Sequence, residues 1–349
     1  MKIRRIIKFT ILSIVGIFVL ALIIGSCILN GRIRSMMSVK NVGDDLYTMN
    51  YKQNYHLDKA LKSEIKNEED LYSFISKEIF FGYEINIDYS KYGCSAFYTS
   101  TPDDKQLVGR NFDLSGTDTL CLYTHPKKGY ASISTVSTDM IGVGNGSTYS
   151  TKSFMGRAAL LASPYLCVDG MNEKGLSASL LDTEIQGETH MNTGKPDLLV
   201  TLAIRLLLDR ASTVDEAINL LKQYDIHTSH GWTQHIFIAD AKGDVAIIEW
   251  YKNEMKIVSY PVCTNFRLSN ALLDGNYTGY CDRFDLLDNT LKDKGKNGIE
   301  DSMNLLEAVK QNKGTYTQWS VVYNLTDFTA DYVVNMKYDN VYHINPKKI

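Results

Sequence analysis

Gly93 hands the chain directly to Cys94, and Gly109-Arg110-Asn111-Phe112-Asp113 follows further on. These residue types can carry out one specific chemistry. A cut between Gly93 and Cys94 frees the α-amine of the cysteine, so that one residue holds both nucleophile and base. The thiol attacks a carbonyl, and an α-amine with a reference pKa of about 8 can take its proton at neutral pH. Arg110 can favour the thiolate by its charge. Asp113 can orient the new ammonium by a charge-assisted hydrogen bond. Gly93 suits the cut, since no side chain obstructs attack on its carbonyl. Taken alone, the same residues also read as a buried cysteine beside a strand end and turn.

Further blocks stand in order behind these. They are Asp169-Gly170-Met171-Asn172-Glu173-Lys174-Gly175-Leu176, His235-Ile236-Phe237-Ile238-Ala239-Asp240 through Glu249, Thr264-Asn265, Asp282-Arg283-Phe284, and Trp319-Ser320-Val321-Val322-Tyr323-Asn324-Leu325. With them, the stretch from Cys94 to about Tyr342 resembles the choloylglycine hydrolase family. That family includes bile salt hydrolases, penicillin V acylases and, more distantly, N-acylethanolamine acid amidase and acid ceramidase. The resemblance implies an α/β (α+β) fold, a four-layer αββα N-terminal nucleophile hydrolase sandwich. It also implies roles. Cys94 is then the nucleophile, Arg110 its neighbour, and Asp113 the holder of the α-amine. The backbone N–H of Asn172 and the side-chain amide of Asn265 serve the oxyanion, and Arg283 completes the charge environment. Amides can aim donors at a developing oxyanion without competing for its proton. Read singly, Asn172 is equally a hairpin-turn residue, Asn265 a loop asparagine and Arg283 a surface charge. One departure is large. In bile salt hydrolases the cysteine follows the initiator methionine, whereas here 93 residues precede it. That arrangement is closer to the acid amidase branch, where an internal peptide bond is cut autocatalytically.

The elements that must position these residues begin with an N-terminal appendage. Lys2, Arg4, Arg5 and Lys8 precede an uncharged, mostly apolar run from Phe9 to about Leu29. A helix of about 20 residues spans a bilayer, and the basic flank stays cytoplasmic. Residues 1–30 therefore read as a membrane anchor, with the catalytic body extracytoplasmic. A lipoprotein signal ending at Cys27 is the runner-up, because Ile23-Ile24-Gly25-Ser26-Cys27 resembles a lipobox. A cleaved secretory signal comes third. Residues 31–93 read as a polar stalk to about residue 56, then a helical pro-segment over 57–81 with Leu57, Leu61, Ile65, Leu71, Phe74 and Ile75 on one face. Residues 94–349 read as the amidase domain.

Within that domain the chain reads as a strand from Cys94, a turn at Thr101-Pro102-Asp103-Asp104 and a second strand to Asp113. Strand-like alternation fills 130–180. A helix covers Asp197 to Leu208, and Thr213-Val214-Asp215-Glu216 opens another. Strands at Val245–Ile248 and Lys256–Val258 flank a turn near Asn253. Met303 to Val309 is helical, and Val321-Val322 and Tyr332-Val333-Val334 are final strands. Periodicity alone gives only mixed α/β.

The 349 residues carry a net charge of −3, with no basic stripe, so nucleic acid is not an expected partner. The 6 cysteines are spaced too widely for a metal site, and the 7 histidines do not cluster, so no metal or cofactor is expected. If the body faces outward, disulfides are allowed. The expected function is a cysteine amidase that hydrolyses linear C–N amide bonds of N-acyl small molecules through a Cys94 thioester. The alternatives are an acyltransferase on the same fold and a catalytically silent surface binding protein. A papain-type peptidase is disfavoured, since the chain lacks Cys-Gly-Ser-Cys-Trp surroundings.

Overall fold

The structure is a computed structural model and describes residues 30–83, 93–144, 146–187, 189–228, 231–273 and 279–349. The apolar run before residue 30, including Cys27, lies outside the described residues, as does the segment 84–92 before Gly93. Among the described residues, no helix is long and apolar enough to cross a membrane.

Two sheets face one another. The first has 9 strands. In spatial order they are Lys40–Gly43, Leu46–Tyr51, Thr119–Thr124, Ser132–Ser137, Asp169–Asn172, Ser177–Gln186, Trp232–Ala239, Val245–Tyr251 and Glu254–Val258. The second has 7 strands. Its path runs Val262–Cys263, Gly93–Ser100, Gln106–Leu114, Thr315–Asn324, Thr329–Val334 and Tyr342–Ile344, with Asn312–Lys313 paired to the fourth.

Strand periodicity explains the layering. Successive side chains of a strand point to opposite faces, and here both faces are buried. Ile236 and Ile238 join an outer core with helix Val200–Arg210, while Phe237 and Ala239 join a core shared with the second sheet. Helix Val200–Arg210 packs on Asp169–Asn172 and Ser177–Gln186, and helix Val214–Leu221 packs on the two strands that follow. On the far side, helix Asp282–Lys294 covers Gly93–Ser100, and helix Ile299–Ala308 covers Gln106–Leu114 and Thr315–Asn324. The result is a mixed α/β sandwich, helix on sheet on sheet on helix. Between the sheets Trp319 stacks on Phe112, with centroids 4.0 Å apart.

Most expected elements are present. Thr213 caps its helix by accepting from Glu216 N–H at 3.2 Å. Lys252 and Asn253 take left-handed φ of 48° and 61° and turn the chain between Val245–Tyr251 and Glu254–Val258. The alternation over 130–180 is interrupted by helix Phe154–Ala159 and the 3-10 turn Leu160–Tyr165. All five described cysteines are free thiols.

The stalk is corrected. Residues 30–37 are helical, and Leu46–Tyr51 pairs parallel with Thr119–Thr124 inside the large sheet. All six of its residues are buried. Tyr47, Met49 and Tyr51 face the outer core. Thr48 and Asn50 alternate with these at strand period in a run of only six residues, and Asn50 is satisfied by donating to the Ile349 carbonyl at 2.7 Å. The single helix over 57–81 is also corrected. It breaks into Leu57–Ala60 and Glu68–Ile79, with Glu64 at φ 49° between them. Asn67 restarts it by accepting from Asp70 N–H at 2.8 Å.

The N-terminal segment is thus part of the body. Tyr51 OH donates to the Leu161 carbonyl at 2.8 Å, and Tyr55 OH to Asp209 at 2.6 Å. Leu71, Ile75 and Ile79 are fully buried. A chain cut just before Cys94 is expected to keep its two pieces together on gel filtration and to separate them only in denaturant. Separate elution under native conditions would contradict this packing.

Candidate active site

The hairpin register builds the site. Thr101 N–H bonds the Lys105 carbonyl at 2.8 Å and closes the turn. This sets Gly93 opposite Asp113, Cys94 opposite Phe112 and Ala96 opposite Arg110. Cys94 and Arg110 therefore share one face, and Asp113 lies on the other. A slip of one residue would exchange them.

On the inner face, Arg110 Nη2 lies 3.3 Å from Cys94 Sγ and donates to the Leu180 carbonyl at 2.7 Å. Arg110 Nε bonds Asp169 Oδ2 at 2.7 Å, with both side chains fully buried. Asp169 also accepts from Tyr323 OH at 2.6 Å and Trp319 Nε1 at 3.2 Å. Arg110 Nη1 has no hydrogen-bond partner among the described residues.

On the other side stand the groups that hold the cysteine backbone. Cys94 N–H donates to Asn265 Oδ1 at 2.8 Å. Arg283 Nη1 donates to the Cys94 carbonyl at 2.7 Å, and its Nη2 to Asn265 Oδ1 at 2.8 Å. Arg283 Nη1 is also 3.4 Å from Asp113 Oδ2. Asp113 is fully buried and accepts from Thr317 Oγ1 at 2.6 Å and Gln311 Nε2 at 2.9 Å. Asn265 Nδ2 donates to the Asp182 carbonyl at 2.7 Å. An amide nitrogen carries two hydrogens, so this bond uses one of them.

The electrostatics correct one expectation. Burial pushes the Cys94 thiol up to about 12, and the charge of Arg110 offsets only part of that rise. Asp113 and Asp182 push the same way as burial. In the uncut chain the thiol is neutral at pH 7, because desolvation outweighs one arginine whose charge is already shared with Asp169. Burial also raises the Asp113 carboxyl, against Arg283, Thr317 and Gln311.

Five expected residues converge: Cys94, Arg110, Asp113, Asn265 and Arg283. Asn172 does not join them. Its N–H donates to the Leu176 carbonyl at 2.9 Å. Its side-chain oxygen accepts from Lys174 and Leu176 N–H, and its NH2 bonds the Leu208 and Ala211 carbonyls. Asn172 is the turn residue that joins Asp169–Asn172 to Ser177–Gln186 and ties that turn to the neighbouring helix. The sequence does not announce Asp169 on Asp169–Asn172, nor Leu180 and Asp182 on the following strand Ser177–Gln186, which all reach the site.

Known proteins were compared with this chain. The model of the linear amide C–N hydrolases, choloylglycine hydrolase family, matches residues 94–278. A penicillin V acylase of Pectobacterium atrosepticum is 33% identical over 127 residues, 32% of this chain and 32% of the relative. The match thus spans about a third of that relative's length. Among solved structures, a mutant conjugated bile acid hydrolase of Clostridium perfringens aligns with TM-score 0.55 at 18% identity, over 73% of this chain and 93% of the other. Penicillin V acylase of Agrobacterium tumefaciens aligns with TM-score 0.53 at 17% identity, over 73% and 87%. At these identities the two structures speak to the fold.

The seat of Gly93 is tight. A Cβ there would clash with Gln311 Nε2 and meet Asp113 Oδ2 at 3.2 Å. Gly93→Ala is expected to destabilise the fold by about 1–3 kcal/mol through overpacking. The loss should shrink in a Gln311→Ala background, as read by urea unfolding. Equal losses in both backgrounds would mean that Gln311 does not set the fit.

Proposed function

Because the chain belongs to the choloylglycine hydrolase family of linear amide C–N hydrolases, we propose that Cys94 is its nucleophile and the α-amine of Cys94, freed by a cut after Gly93, its base. One observation carries this reading. The nitrogen, carbonyl and thiol of a single strand residue are each met by a separate side chain, Asn265, Arg283 and Arg110 respectively. A structural cysteine needs no such cradle for its backbone nitrogen.

The maturation step is an N-to-S acyl shift. Cys94 Sγ bonds the Gly93 carbonyl carbon, the Gly93–Cys94 C–N bond breaks, and the nitrogen leaves as the α-amine with the thiol proton. Water then hydrolyses the thioester to the Gly93 carboxylate and the free thiol. In turnover the amine takes the thiol proton as sulfur attacks the substrate carbonyl. The second N–H of Asn265 and the unpaired Nη1 of Arg110 are donors available to the developing charge. The amine passes its proton to the leaving amine, and water, activated by the same base, releases the acid. Asp113 holds the ammonium form.

The substrate is an N-acyl small molecule with an apolar acyl group. Phe266 stacks on Tyr280 with centroids 5.1 Å apart and meets Phe284 edge-on at 5.0 Å. Phe266 and Phe284 directly follow Asn265 and Arg283 in the chain, Tyr280 stands three residues before Arg283, and the three rings supply an apolar wall near the site. The basic flank and apolar run before residue 30 support a single-pass anchor with the body outside the cytoplasm. A lipoprotein anchor at Cys27 is the alternative. Protease added to intact cells is expected to remove the body, and its survival would contradict an outward placement.

N-terminal sequencing of the large fragment is expected to read Cys94-Ser95-Ala96-Phe97, and Cys94→Ala should stay full length. Asn265→Ala is expected to lower turnover of an N-acyl amide on the order of 10²-fold. An active preparation made only of uncut chain would remove the amine base. Acyl-enzyme trapped on Cys94, with faster product release on adding an acceptor amine, would favour acyl transfer over hydrolysis.

A further inference from the structure

A second buried network stands beside the site and is not used by the reaction. His235 Nδ1 lies 3.2 Å from Glu249 Oε1, and His235 Nε2 lies 3.4 Å from Cys263 Sγ. His235 and Cys263 are fully buried and Glu249 nearly so. Glu249 also accepts from Leu268 N–H at 2.8 Å and Ser269 N–H at 3.0 Å. Burial alone would raise the Glu249 carboxyl, but bonds from His235 and Ser269 overcome it and hold it below the usual glutamate range. A carboxylate kept charged in a core is expensive unless fully bonded.

The placement of these bonds gives them meaning. Asn265 sits in the loop between the two-residue strand Val262–Cys263 and helix Leu268–Leu273. The strand end is anchored through Cys263 and His235, and the helix end through Leu268, Ser269 and Glu249. His235 and Glu249 come from adjacent strands of the large sheet, which are rigid supports. Asn265 must keep its oxygen on Cys94 N–H and its nitrogen on the Asp182 carbonyl at once. A two-residue strand cannot fix that orientation by its own ladder.

We propose that Glu249 and His235 are positioning residues, a clamp on both ends of the 263–268 loop that holds the Asn265 amide against Cys94. The role rests on the proposed use of Asn265 in cleavage and hydrolysis, and the test separates the two. Glu249→Gln, Asn265→Ala and the double variant are compared with the full-length chain. Two rates are measured, cleavage before Cys94 by intact mass and hydrolysis of a chromogenic N-acyl anilide. Misplacement of a reacting group by about 1 Å can lose 10²-fold in rate. Glu249→Gln is therefore expected to lower kcat by about 10- to 100-fold with KM little changed. In the Asn265→Ala background the same change should have almost no effect on kcat, since acting through one residue makes the losses non-additive. The drop in thermal midpoint should be equal in both backgrounds, which separates positioning from stability. If Glu249→Gln does not fold, His235→Gln takes its place in the cycle. Equal kcat losses in both backgrounds would overturn the clamp. Coupling on the cleavage rate without hydrolysis of any amide would keep the clamp and sink the amidase reading.

Discussion

The fully buried pair of Arg110 and Asp169 holds the two sheets in the register that the site needs. Arg110 comes from the smaller sheet, Asp169 and the Leu180 carbonyl from the larger. Tyr323 and Trp319 return from the smaller sheet to the same carboxylate. Burying two charges is costly, and removing one partner would strand the other at about 3–5 kcal/mol. The pair persists because nearly every remaining lone pair and proton is bonded. Its one unspent group, Nη1, is on the residue that touches the Cys94 thiol. Stability and chemistry thus meet in one guanidinium.

In the proposed account, the same interaction keeps the uncut chain quiescent. Arg110 is shared among Asp169, Leu180 and Cys94, so its charge cannot outweigh the desolvation of a thiol sealed between two sheets. The amide nitrogen of Cys94 is no base while it is acylated by Gly93. In the proposed account, cleavage supplies what the fold withholds: an ammonium beside the sulfur and an opening where the leader was joined. The leader itself remains, since its strand completes the large sheet beside Thr119–Thr124.

Cys94 and its hairpin neighbours were readable as a cluster because they are close in the chain. Gly93, Cys94, Arg110 and Asp113 lie on two strands joined by a short turn, and one register fixes them all. Asn265 and Arg283 were readable only through resemblance, since nothing near them in the chain announces Cys94. Asn172 does not reach the site because its N–H and side chain are spent within the turn and on the neighbouring helix. Leu180 and Asp182 approach through main-chain oxygens, and a sequence does not show which carbonyls face a site. Leu46–Tyr51 was taken for stalk because its alternating run is only six residues long and stands among polar neighbours, although the sheet buries all six. The clamp of His235 and Glu249 joins residues whose closeness depends on the packing of two strands.

The central claim is that the Cys94 thiol changes state when the Gly93–Cys94 bond is cut. Iodoacetamide labelling across pH, read on tryptic peptides from partly matured protein, tests it in one sample. The uncut peptide runs from Tyr92 to Lys105 and the cut one from Cys94 to Lys105, so the two masses report the two states together. The account predicts that Cys94 in the uncut peptide stays unlabelled through neutral pH, as a thiol pushed up to about 12 requires. In the cut peptide it should label readily near pH 7. Identical labelling curves for the two peptides would contradict the account, because cleavage would then not be what activates the nucleophile.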